Sequence, residues 1–137
     1  MRDGNVEPDS LAALTREVVR FRDARDWKQF HNPKDMAISL SLEAAELLEL
    51  VQWKNGAELE THLAERREAL EHELSDVLYW LLLMAHDLEV DLGAAFLEKL
   101  SHNETKYPVE QARSSSRKYT EIGVRGQGSG VREESSS

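Results

Sequence analysis

Glu43 and Glu46 stand three positions apart, and Glu73 and Asp76 repeat that spacing thirty residues on. Residues three apart on an α-helix share a face, so each pair can act as a unit. Drawn together, four carboxylates repel one another unless cations lie between them. No Lys or Arg occurs between Lys34 and Lys54, so a local salt bridge cannot neutralise the first pair. Carboxylate oxygens suit hard divalent cations, which points to Mg²⁺, with Mn²⁺ as a substitute.

Helical phase separates these acids from the many ordinary ones. At about 100° per residue, Met36, Leu40, Leu47 and Val51 fall within about 60° of one another and mark a buried stripe. Glu43 lies about 20° beyond the Met36 edge of that sector and Glu46 farther along the same side, whereas Glu49 sits farther round still. On the next long helix the predicted stripe is Leu70, Leu74, Val77, Leu81 and Leu88. Glu73 borders it, and Asp76 lies one step farther away, flanked by Trp80 and Leu83. A buried carboxylate without a partner is costly, so Glu43 calls for a ligand. Glu58, Glu60, Glu65 and Glu68 read as solvated surface.

Two other metal chemistries fit poorly. Di-iron bundles use Glu-x-x-His pairs, and no histidine here has a glutamate three residues before it. "HELSD" at 72–76 approaches the zinc-protease pattern, but its fifth residue is Asp76 rather than His. His72 is therefore expected at the surface.

Mg²⁺ held by a few carboxylates keeps positions open for phosphate oxygens. Lys99, Asn103 and Lys106 follow at i, i+4 and i+7, a single helix face able to contact those phosphates. Trp27, Phe30, Trp53 and Trp80 lie in or beside the acidic helices, where aromatic faces can stack on a base. His31 is placed to read a base edge or to cap a turn. This combination suggests a nucleotide site.

The elements that must position these residues are helical. Gly and Pro are nearly absent between residues 10 and 107, and the apolar spacing predicts an all-α domain of four main helices. The first should run from about Ser10 to Trp27, with Leu11, Leu14, Val18, Phe21 and Arg22 along one side. Asn32 followed by Pro33 is a helix start, and that helix should reach about Lys54 before "NG" at 55–56. The third begins in "ELETHLAERREALEHEL", whose first part can stand as a separate short helix, and continues to about Leu88. Asp91 is expected to cap the fourth, which ends before Pro108. Residues 1–9 are expected to be flexible and 10–112 to form the catalytic domain. The Ser/Gly-rich stretch 113–137 is expected to be partly ordered to about 120 and disordered beyond.

Charge narrows the partners. The chain carries −9 overall. Five basic and three acidic residues from Arg113 onward give +2, which leaves −11 for the rest. Such a body repels a nucleic-acid polymer but accepts a small anion bridged by metal. The longest apolar run, Val77 to Ala85, has nine residues, well short of the roughly 20 of a membrane span. The N-terminus lacks the apolar stretch of a signal peptide, so a cytoplasmic protein is expected. Without cysteine, thiolate chemistry and disulfides are excluded.

The acidic signature, with "RDWKQFHNPKD", "ELLELVQWK", "EHELSDVLYWL", "NETKYP" and "RKYT" in order around it, resembles the MazG-like all-α nucleoside triphosphate pyrophosphatases, in their dCTP pyrophosphatase branch. The resemblance spans about residues 10–120. It implies a four-to-five-helix bundle that pairs into a dimer or a tetramer of two dimers, with active sites at subunit interfaces. It implies hydrolysis between the α- and β-phosphates, giving a monophosphate and pyrophosphate. By position, Glu43, Glu46, Glu73 and Asp76 would bind Mg²⁺ and serve catalysis, one of them orienting the water, with Glu46 the candidate. Lys99, Asn103 and Lys106 would contact phosphates, and Trp27, His31, Trp53 and Trp80 the base or sugar. Lys118 and Tyr119 would reach a neighbouring subunit's site. Two positions depart from the pattern: Lys106 stands where many relatives carry Arg, and Val18 where the vertebrate branch is associated with a base-recognising histidine. A dCTP-like substrate is the first expectation. A dUTP or broad-specificity enzyme, and a non-catalytic helical interaction module, are the alternatives.

Overall fold

Why the chain forms these particular helices can be read from their ends. A computed structural model describes residues 10–113. Ser10 caps helix α1 (Leu11–Asp23), its Oγ accepting from the Ala13 amide at 3.2 Å. Asn32 caps α2 (Pro33–Val51) through Oδ1, which accepts from the Asp35 amide at 2.9 Å, and Pro33 needs no amide partner in the first turn. Gly56, at φ +54, opens the separate helix α3 (Gly56–Glu65) in a conformation that favours glycine. Next come α4 (Arg67–Asp87), α5 (Leu92–Lys106) and a short α6 (Val109–Ala112). The described residues are thus all-helical, with six α-helices rather than four or five, and no strand among them.

The first helix stops earlier than its apolar spacing suggests. It ends at Asp23 because Asp26 adopts φ +52, with the Trp27 amide donating to the Arg22 carbonyl and the Asp26 amide to the Asp23 carbonyl. That pair of bonds is a Schellman end. A 3₁₀ turn at Lys28–Phe30 then carries the chain to α2. Helix α4 closes in the same way, with Glu89 at φ +55 and Val90 and Glu89 donating to Ala85 and His86.

The helices fall into two compact units, one reaching Leu92 and the other starting at Gly93. In the first, α2 packs chiefly on α4, and α1 on α4. Met36 (1% exposed) shares a buried cluster with Val18, Leu82 and Leu83, while Glu43 and Glu46 meet Glu73 and Asp76. Numbers rise along α2 as they fall along α4, so the two helices run antiparallel. The stripe predicted on α4 is only partly the one used: Leu74, Leu81 and Leu88 are exposed, and Leu82 and Leu83 are buried instead. From Val77 to Ala85 the helix is apolar nearly all round, so periodicity alone cannot choose its inner face. One side it turns inward runs through Glu73, Trp80 and Leu83, with Asp76 exposed beside it, and Leu82 is buried on another.

One charged pair belongs to this packing. Arg22 is fully buried and donates to both oxygens of Asp87 at 2.6 and 2.7 Å. The guanidinium holds the Asp87 carboxyl below its ordinary range, and the Asp87 bond raises Arg22 in turn. The pair ties the C-terminal turn of α1 to that of α4. In the second unit, α5 places Lys99, Asn103 and Lys106 on one face by its own geometry. The expectations for residues 1–9 and for 114–137, including Lys118 and Tyr119, lie outside the described residues. No helix among the described residues is long and apolar enough to cross a membrane.

Candidate active site

Antiparallel α2 and α4 bring the two acidic pairs face to face. Glu43, Glu46, Glu73 and Asp76 each offer an oxygen within 4.8 Å of the others. Glu43 and Glu73 are half-buried, and each has an Oε2 that is buried without a hydrogen-bond partner. Glu46 and Asp76 stay exposed at the mouth. A cluster of this kind could bind a metal ion: it is oxygen-only, enters none of the ion pairs among the described residues, and contains two orphaned buried oxygens.

Electrostatics agree with that reading. The Glu43 carboxyl is pushed up to about 7, first by burial, then by its hydrogen bond with Glu46 and by the charges of Glu46, Asp76 and Glu73. Burial, and after it Glu46, also raises Glu73. Without a cation the cluster holds protons that a divalent ion would displace.

The aromatic candidates divide between two places. His31 meets Trp80 edge-on at 5.2 Å between ring centroids, and Trp80 meets Tyr79 at 5.0 Å. His31 Nδ1 is buried and unpartnered. Burial, and next the charge of Arg22, lower its pKa, with Asp87 opposing, which favours the neutral ring. Trp27 packs edge-on against Phe21 at 5.8 Å, with the Arg25 guanidinium 3.7 Å above the Phe21 ring. Trp53 lies elsewhere: it is 82% exposed and follows the C-terminus of α2, whose N-terminus follows His31. The 19 residues of α2 span about 28 Å, so one base cannot touch both His31 and Trp53 of the same chain.

The lesser expectations also find their places. His72 is exposed, 4.0 Å from Glu68, and takes no part in the cluster. Glu49 is outside the four-acid group but lines a cavity beside it, together with His62 and Arg66. Those two were not singled out by the sequence. Arg66 sits in the run "ERRE", which reads as solvated charge; it is exposed, and the break between α3 and α4 sets it at the rim of this cavity. Val18 is buried in the core and cannot take the place of a base-reading histidine.

Comparison with known proteins fits this geometry. The chain is 44% identical to human dCTP pyrophosphatase 1 over 115 residues, covering 82% of this chain and 68% of the human protein. It is 40% identical to the rat protein of the same name, with the same coverage. A crystal structure of a pyrophosphatase from Archaeoglobus fulgidus superposes with a TM-score of 0.68 at 38% identity, covering 72% of this chain and 92% of that one. The MazG-like family model matches residues 38–122, which take in both acidic pairs, and the chain belongs to the MazG-like family.

Proposed function

We propose that this protein is a Mg²⁺-dependent nucleoside triphosphate pyrophosphohydrolase that cleaves dCTP-like pyrimidine deoxynucleotides between the α- and β-phosphates. Nucleotide pyrophosphohydrolysis itself follows from its relatives. The observation that carries the rest is the convergence of Glu43, Glu46, Glu73 and Asp76. The interaction-module alternative treats these acids as plain surface, and the orphaned buried oxygens of Glu43 and Glu73 argue against it.

Glu43, Glu46, Glu73 and Asp76 would hold the metal, which when bound offsets the triphosphate's charge and the charge developing on the leaving group. Glu46, exposed at the mouth, orients the attacking water and accepts its proton. The water oxygen bonds to the α-phosphorus, the bond to the α,β-bridging oxygen breaks, and that electron pair departs on pyrophosphate. His31 and Trp80 take the base. Trp27 extends the same aromatic turn. Lys99, Asn103 and Lys106 are assigned to the phosphates.

A homodimer, or a tetramer of two dimers, completes this site. Ile38, Leu42, Leu74 and Leu81 are exposed on α2 and α4, a face suited to a second copy. Trp53 would then serve the base site of another subunit, as would Lys118 and Tyr119. With Val18 buried, cytosine selection falls to the His31–Trp80 pair, and dUTP or a broader set of triphosphates is the second substrate reading. A panel of triphosphates that includes dCTP, 5-modified dCTP and dUTP, run in ¹⁸O-labelled water, tests the proposal. The expected result is label in the nucleoside monophosphate and the fastest turnover with a dCTP-like base. Pyrophosphate from none of them would overturn it.

A further inference from the structure

The four acids account for only one end of the space between α2 and α4. A cavity of about 550 Å³ continues from Glu46 and Glu73 towards the start of α4, where Ala69, Glu49, His62 and Arg66 line it. It carries two groups of a kind the acidic cluster lacks. Arg66 makes none of the ion pairs among the described residues, although glutamates surround it. His62 reaches the same cavity from α3.

Order along α4 gives this cavity a direction. Trp80, facing His31, lies seven residues past Glu73, and Arg66 lies seven residues before it. Each interval is about 10 Å of helix. Aromatic rings and then carboxylates therefore follow one another along α4, with Arg66 at its N-terminal boundary and His62 on the end of α3 beyond them. A nucleoside triphosphate has the same sequence of needs: a base, an α-phosphate at the metal, and a terminal diphosphate.

We propose that the Arg66–His62 cavity holds the β- and γ-phosphates, and then the leaving pyrophosphate. This rests on the pyrophosphohydrolase reading above and adds two ligands to it that lie outside the acidic signature and outside α5. The planar guanidinium can grip two phosphate oxygens in parallel. Its fixed charge sits on the side to which the electron pair of the broken bond moves.

Binding of inorganic pyrophosphate in the presence of Mg²⁺, measured by calorimetry on the full chain, tests this directly. Arg66→Gln should weaken pyrophosphate binding tenfold or more, Arg66→Lys should weaken it less, and Arg66→Gln with His62→Gln should weaken it further. Binding of dCMP should change less than threefold in all three, which shows that the fold and the base site are intact. Product inhibition of dCTP hydrolysis by pyrophosphate should fall in parallel. Unchanged pyrophosphate affinity in the double variant would overturn the proposal, and so would an equal loss of dCMP binding. A wild-type protein that hydrolyses no triphosphate would instead sink the underlying reading, so the two failures are distinguishable.

Discussion

Burial first, and then its acidic neighbours, push the Glu43 carboxyl up to about 7. This has a consequence for stability. Its folded pKa, about 7, lies above the ordinary value of 4.5, so the folded chain binds the proton more tightly than the unfolded chain. The metal-free protein should therefore lose stability as pH rises from about 4.5 to about 7 and level off above. Mg²⁺ should raise the melting temperature most at the upper end of that window, and a thermal-unfolding series with and without the ion measures both effects. Glu43→Gln should flatten the metal-free slope while abolishing the response to Mg²⁺. The same residue shows what the sequence can and cannot reveal at this scale. Spacing and helical phase singled out all four acids because a pair three apart has only one way to face. Arg66 and His62 escaped, because their place depends on a helix break rather than on a period.

At the scale of the element, the α1 and α4 C-termini are joined by Arg22 and Asp87. Removing one partner of a buried ion pair leaves an uncompensated charge, which costs about 3–5 kcal/mol. Asp87→Asn should destabilise by about that much in denaturant unfolding. Replacing both with apolar residues, Arg22→Met with Asp87→Leu, should cost far less. Asp87 has a depressed folded pKa, so its contribution is present above its ordinary value of 3.8 and is lost as pH falls through the folded value. Acid unfolding should accordingly shift upward in pH when Arg22 is replaced. The Asn32 cap is a smaller device, and Asn32→Ala should cost about 1 kcal/mol. Caps were legible, since Ser10 and Asn32–Pro33 start α1 and α2 where the sequence puts them. The C-terminal stop of α1 was not, because Asp26 takes a left-handed conformation that its residue type only permits. The inner face of α4 was misread for a different reason: a helix apolar on every side can bury any of them.

For the whole molecule, the described core is small. Its buried apolar side chains are Ala13, Val18, Met36, Leu82 and Leu83, of which only Met36 and Leu83 are fully buried, while Leu42 remains 61% exposed on α2. A chain that buries so little alone gains by association, and the α2 and α4 faces are where it would do so. If the proposed pairing through this face holds, Leu42→Lys with Leu74→Lys should shift the protein to smaller species in sedimentation and lower its turnover, whereas unchanged sedimentation in the double variant would contradict the pairing. The family was legible from residues 10–120 because its motifs recur in order. The two-unit division at Leu92 was not, because α5 has the same helical composition as the rest.

The central claim is that the two acidic pairs form a metal site at which a triphosphate loses pyrophosphate. Pyrophosphate release from dCTP, titrated with Mg²⁺ in the wild type, Glu46→Gln and Asp76→Asn, tests it most directly. The wild type should require the ion and saturate with it. Each variant should fall by about a hundredfold or more, as expected when a group holding charge in the transition state is lost. Turnover that persists without any divalent ion, or that survives unchanged in both variants, would contradict the account.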